Sequence, residues 1–285
     1  MAIRNIHIHI GLHKTGTTDF QNMLDNARAD LEKSGFLYPA SLGRNHSIPI
    51  YSCFCEKPYG YHVHIKDQRN ETQVNQYNID ILNNFTKEIR STECHTLIIS
   101  GEDISQLTKE NLREFKERLN RILPDAEIKI FCVVRNPESL ASSIAQQLVK
   151  GGLPLAQAVR TLQQQPSLYR QQIEKFIDLF GEQSVQVSTF EAACNHPDGP
   201  TQHLIESIGL GDVLLNPNSI NPTNESLSDA AVDLIDYINS AEPLIIHSKI
   251  NPNREAGDST ALQNLPGGKF TLSNRVLDDL YQGYL

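Results

Sequence analysis

Between Ile10 and Asp19 the chain reads Gly11-Leu12-His13-Lys14-Thr15-Gly16-Thr17-Thr18. Two glycines allow a tight turn, three threonines supply hydroxyls, and one lysine supplies positive charge. The isoleucine-rich alternation from Ile3 to Ile10 reads as a strand, and Phe20, Met23, Leu24, Ala27 and Leu31 recur at helical spacing up to a stop at Gly35. A glycine turn between a strand and a helix leaves amide N–H groups at the positive end of the helix dipole, so the segment is expected to bind phosphate. A nucleoside-triphosphate loop carries lysine directly after its second glycine. Here that position is Thr17 and the lysine is Lys14, inside the turn.

A second group of the same kind follows the apolar run Ile128 to Val134. Arg135-Asn136-Pro137 stands at its end, and Ser143 comes early in the next predicted helix, Glu138 to Lys150. A guanidinium offers a planar fork to a phosphate and a serine hydroxyl adds one more bond. The plain alternative is a strand-end arginine paired with a carboxylate.

The two motifs together resemble the 3′-phosphoadenosine 5′-phosphosulfate (PAPS)-dependent sulfotransferases, whose 5′-phosphosulfate loop is close to P-K-[ST]-G-[ST]-[ST], with His13 here in place of the proline. The loop H-K-T-G-T-T is similar in style to bacterial sulfotransferase-like proteins. The resemblance extends to Val185-Gln186-Val187-Ser188-Thr189-Phe190-Glu191 and to Leu204 through Leu210, and covers about residues 3–36, 95–150 and 168–210. It implies that His13, Lys14, Thr15, Gly16, Thr17 and Thr18 hold the 5′-phosphosulfate and that Arg135 and Ser143 hold the 3′-phosphate. It also implies PAPS as the sulfuryl donor, with no metal expected. The family's R-K-G-x-x-G loop is absent from the sequence.

Sulfuryl transfer needs in-line attack, charge stabilisation on the leaving phosphate and a base for the acceptor. Lys14 is the expected stabiliser. Where the family's cytosolic members carry a basic histidine, this chain has Ser100-Gly101-Glu102-Asp103, so Glu102 and His46 are the two candidate bases. His7 and His9, on one face of a predicted central strand, read as core residues.

The remaining elements must position these groups. Thr96 to Ser100 reads as a strand, Thr108 to Leu123 as a helix, Tyr169 to Phe180 as a helix, Val185 to Phe190 as a strand, and Ser228 to Ser240 as a helix. Apolar strands alternating with helices imply an α/β, P-loop-type three-layer fold with a central parallel sheet flanked by helices. The chain is read as one domain over 1–285, with 37–94 and 211–285 as acceptor-side and peripheral elements. The first half of 37–94 reads as irregular surface structure.

A net charge of −9 argues against a long polyanion such as nucleic acid and favours a small-molecule or carbohydrate acceptor. Cys53, Cys55, Cys94, Cys132 and Cys194 are an odd, scattered set that reads as reduced thiols. Cys53 and Cys55 with His62 and His64 lack zinc-knuckle spacing. No run is apolar enough to span a bilayer, and Met1-Ala2-Ile3-Arg4 leads straight into a strand pattern, so the expected location is the cytoplasm. Two other functions compete: a P-loop nucleotide kinase or NTPase, and a non-catalytic protein binding adenosine bisphosphate.

Overall fold

A computed structural model describes residues 3–12, 14–164, 169–214, 226–246, 249–254, 261–262 and 265–281. The chain divides into two compact units: Met1–Val134 with Tyr169–Asn221, and Arg135–Leu168 with Pro222–Leu285.

The first unit is an α/β layer structure. Its elements are β1 (Asn5–His9), α1 (Thr17–Asn26), α2 (Arg28–Lys33), β2 (Phe36–Leu37), α3 (Ser47–Phe54), α4 (His62–Lys66), α5 (Glu71–Ser91), β3 (Thr96–Ser100), α6 (Lys109–Ile122) and β4 (Glu127–Val134). After the second unit's helices α7 (Pro137–Lys150) and α8 (Leu155–Gln163), it resumes with α9 (Tyr169–Phe180), β5 (Val185–Thr189), α10 (Phe190–Cys194) and α11 (Gly199–Ser207). The sheet order is β2-β3-β1-β4-β5 and every pairing is parallel.

Alternation along the strands builds two cores. Ile6, Ile8, Leu97, Ile99, Ile130 and Cys132 face one side, with Phe85 of α5, Phe115 of α6 and Phe176 of α9. Ile98, Phe131 and Val133 face the other, with Phe20 and Leu24 of α1 and Leu204 and Ile205 of α11. Burial on both faces is what a parallel sheet requires, and it explains why these strands read as nearly continuous apolar runs.

The two long helices beside β3 begin where their sequences provide caps. Asn70 and Gln73 form a reciprocal capping box on α5, and Thr108 accepts from Asn111 N on α6. The predicted helix from Thr17 past Leu31 is instead two helices with a break at Ala27, which neither Gly nor Pro announces.

The segment after Leu37 departs from the irregular surface reading. It contains α3 and α4, and Leu42, His46, Ile50, Ser52, Phe54, Tyr61 and His64 are buried. The reason is length: α3 has eight residues, nearly all apolar on every side, and so shows no helical period.

In the second unit α7, α8, α12 (Asp229–Ala241) and α13 (Asn274–Tyr281) share a core of Ala145, Val149, Ala158, Val232, Ile235 and Leu277, and the short strands β6 (Ile245–Ile246) and β7 (Lys249–Ile250) pair antiparallel. Lys150, at the end of α7, is half-buried there, and burial lowers its pKa.

Candidate functional site

The glycine loop leaves the carboxyl end of β1, the central strand. Lys14 at φ 69 and Gly16 at φ 83 both take left-handed backbone conformations, which curl the chain into the N-terminus of α1. For lysine that conformation costs roughly 1–2 kcal/mol. Gly16 is the N-cap of α1 and has no side chain with which to cap it, and a helix N-terminus that opens on a glycine suits an anion.

Thr15 is buried and its hydroxyl donates to Leu12 O at 2.6 Å, closing the loop on itself. Thr17 is buried, Thr18 is exposed and Lys14 is partly exposed. His13 lies outside the described residues. The ring of Phe190, from the aromatic-Glu pair after β5, comes within 4.0 Å of where a Cβ on Gly16 would stand.

Behind the loop is a polar cluster, of which sequence reasoning singled out only His9, as a core residue. His9 Nδ1 lies 3.0 Å from Ser100 Oγ, and Gln21 Nε2 donates to Ser100 Oγ at 3.3 Å. His9 Nε2 is buried with no partner among the described residues. Burial pushes the His9 pKa down to about 4, so its imidazole is neutral at pH 7. His7 differs: its Nδ1 sits 3.0 Å from Ile208 O and its ring packs against Phe131.

The two candidate bases sit in contrasting surroundings. His46 is fully buried and stacked on Tyr38 at 4.2 Å. Its Nδ1 accepts from Ser100 N at 3.2 Å, so its proton sits on Nε2, which faces the Pro39 and Gly43 carbonyls without a well-formed bond to either. Burial, then the charge of Arg28, pushes its pKa down to about 3. Arg28 also donates to the Tyr38 and Gly43 carbonyls, so His46 belongs to the brace that holds residues 38–46 against β3.

Glu102 is partly exposed and opens the 3-10 helix Glu102–Gln106 directly after β3. The Gly101 N–H donates to His9 O at 3.0 Å, and His9 pairs with Ser100 in register. Glu102 and the glycine loop therefore leave neighbouring strands at the same carboxyl edge, where ligands of parallel sheets bind. Lys175 of α9 donates to Ser105 O and Leu107 O at 2.6 Å each and anchors the far side of the Glu102 segment.

In the second unit Arg135 is 8% exposed and its Nε donates to Ser139 Oγ at 2.9 Å. Asn136 caps α7 by accepting from Glu138 N and Ser139 N. Ser139 and Ser143 follow Arg135 at intervals of four, so they share one helix face. Ser139 was missed, although the spacing that selected Ser143 passes through it.

A Ser–His pair elsewhere is chemically inert. Ser52 Oγ is 2.6 Å from His64 Nε2, but Arg69 donates to His64 Nδ1 and the Ser52 hydroxyl donates to Asn78 Oδ1. The histidine proton is thus on the serine side, the wrong polarity for a base. Cys53 instead lies against Asn78, with burial pushing its thiol up to about 12. No group of three or more His, Cys, Asp or Glu side chains converges as metal ligands among the described residues.

No known family profile matches the chain. No curated protein matches the chain in sequence. Among solved structures, one that is similar is a sulfotransferase from Alicyclobacillus acidocaldarius, with 16% identity, a TM-score of 0.42, and coverage of 85% of this chain and 94% of that one. Another is the sulfotransferase domain from the curacin biosynthetic pathway, with 15% identity, a TM-score of 0.44, and coverage of 98% and 97%. At these values the likeness carries no part of the functional argument, which rests on the residues above.

Proposed function

We propose that the protein is a PAPS-dependent sulfotransferase acting in the cytoplasm on a small-molecule or carbohydrate acceptor bearing a hydroxyl or amine. The observation that carries this reading is the loop itself. A helix N-terminus that opens on a glycine N-cap follows a turn whose single lysine lies inside the curl at φ 69, with Thr17 where a triphosphate loop needs lysine. That donor set fits a phosphosulfate better than a triphosphate chain.

PAPS, when bound, supplies the sulfuryl group to be transferred. The α1 amides, with the backbone and hydroxyls of Thr15 to Thr18, would hold the 5′ end together with His13. Arg135, Ser139 and Ser143 would hold the 3′-phosphate. Lys14 places positive charge where the leaving oxygen gains negative charge. Glu102 takes the acceptor proton. His46 suits that role less, because its one acceptor nitrogen is committed to the Ser100 amide and it is sealed from solvent. All five cysteines are free, in keeping with a reducing compartment. No described helix is long and apolar enough to cross a membrane.

Calorimetric titration with adenosine 3′,5′-bisphosphate, beside ATP with and without magnesium, tests the reading on wild type and Arg135→Ala. Metal-independent bisphosphate binding that collapses in the variant is expected. Magnesium-dependent ATP binding with no response to the bisphosphate would sink it in favour of a kinase. Tight bisphosphate binding without transfer to any acceptor in a labelled-PAPS screen would indicate a non-catalytic binder.

A further inference from the structure

The last turns of α5 and Arg118 of α6 line an open concavity of about 480 Å3, formed by Asn83, Thr86, Lys87, Arg90, Ser91 and Arg118. The first five share one face of α5, at intervals of three and four. The volume lies in the range of small-molecule sites, roughly 300–1,000 Å3. The lining holds three cations, two hydroxyls and an amide, and no carboxylate, aromatic or aliphatic side chain.

None of the three cations has an ion-pair partner among the described residues. That is notable in a chain with 34 acidic residues. Arg118 Nε is buried without a partner, the one such guanidinium nitrogen among the described residues, and a buried donor in that state costs free energy until something accepts from it. Arg118 itself is half-buried, unlike Lys87 and Arg90. Helix dipoles account for only part of the cluster. The basic residue in the last turn is Arg90 in α5 and Arg121 in α6, which leaves Lys87 and Arg118 unexplained.

Position separates this cavity from the glycine loop. Residues 83–91 lead into the start of β3, and Arg118 is close to the end of the helix that leads into β4. The cavity therefore lies toward the amino edge of the parallel sheet, whereas the loop and Glu102 lie at the carboxyl edge, a strand length or about 16 Å away.

We propose that this cavity is a second ligand site, for a small polyhydroxyl compound carrying two or more phosphate or sulfate ester groups. The cations take the ester oxygens, with Arg118 as the directional donor, and Asn83, Thr86 and Ser91 take the hydroxyls. The lining carries no aromatic ring on which a nucleobase could stack. The site stands whether or not the glycine loop binds PAPS.

The test is calorimetric titration of the full chain with fructose 1,6-bisphosphate and, separately, with a disulfated disaccharide; the two arms distinguish phosphate from sulfate esters, and inorganic phosphate controls for simple charge. At least one ester is expected to bind at one site, more tightly than inorganic phosphate, and to weaken about tenfold in Arg118→Gln, a loss of about 1.4 kcal/mol. The exposed double variant Lys87→Gln/Arg90→Gln should weaken it at least as much without touching the core, and Lys14→Ala should leave it unchanged. Failure of both esters to bind, binding no tighter than inorganic phosphate, binding that follows Lys14, or binding that the double variant retains would each overturn the proposal.

Discussion

Gly11 and Thr17 are packed so closely that a Cβ added to Gly11 would stand 2.1 Å from Thr17 Cγ2, and 2.9 Å from His9 Cε1 on its other side. The base of the loop is thus closed to any side chain at residue 11. Gly11→Ala is expected to cost about 1–3 kcal/mol through overpacking and to abolish binding of adenosine 3′,5′-bisphosphate. Gly60→Ala is the control, since nothing lies within 4 Å of its Cβ position. Thermal melts and calorimetry on both variants check this; equal behaviour of the two would show that the loop base yields freely.

Lys14 combines a strained backbone with the proposed charge. Lys14→Gly should relieve the left-handed strain and leave stability equal or higher by about 0.5 kcal/mol, while turnover falls at least a hundredfold. Lys14→Ala should lose turnover similarly without the gain in stability. A Lys14→Ala enzyme with wild-type kcat would remove the lysine from the mechanism.

Glu102 and His46 separate in pH–rate profiles. Glu102→Gln should lose the ascending limb together with most of kcat, with its melting temperature little changed. His46→Asn should keep the ascending limb and lose stability instead, because it disturbs the brace between residues 38–46 and β3. The reverse pattern would make His46 the base.

Acid should unfold the protein through its buried imidazoles. In the unfolded chain histidine titrates near its ordinary 6.5, whereas His9 is pushed down to about 4 and His46 to about 3. The folded state therefore binds fewer protons below pH 6.5. Its stability is full above that value and falls as pH drops toward 4, by about 3 kcal/mol from His9 alone. Urea titrations at pH 7.5, 5.5 and 4.5 check this, and His9→Gln should flatten the dependence.

Ser139 should matter to the second motif through Arg135. Ser139→Ala removes one acceptor of the guanidinium, and bisphosphate affinity is expected to fall about threefold to tenfold, against a larger loss in Arg135→Ala. If Ser139→Ala binds as wild type, the arginine is oriented by other contacts.

Much of this architecture was legible because the strands are buried on both faces. Apolar runs at 96–100 and 128–134, and helical spacing at 108–123 and 169–180, carry their periods in full. Thr108 and Ser228, read as helix starts, serve as side-chain caps. The loop and Arg135 were legible as motifs, since glycine spacing and a strand-end arginine are local signals. What stayed hidden depends on contacts distant in sequence. The burial of His46 comes from β3 and Arg28, and the His9–Ser100–Gln21 cluster joins three elements. The cavity cations sit on helices that look like ordinary solvated faces until α5 and α6 are set side by side.

The position of β1 bears on how the molecule first assembles. It lies between β3 and β4, whose pairing residues begin at Thr96 and Glu127. During synthesis this first strand has no neighbour until about a hundred further residues have emerged, and the second neighbour comes later still. Contacts of such long sequence separation slow folding and leave an isoleucine-rich segment open to wrong partners meanwhile. The anion loop, made well before the strands that flank its own, is thus among the last parts of this sheet to take its working shape.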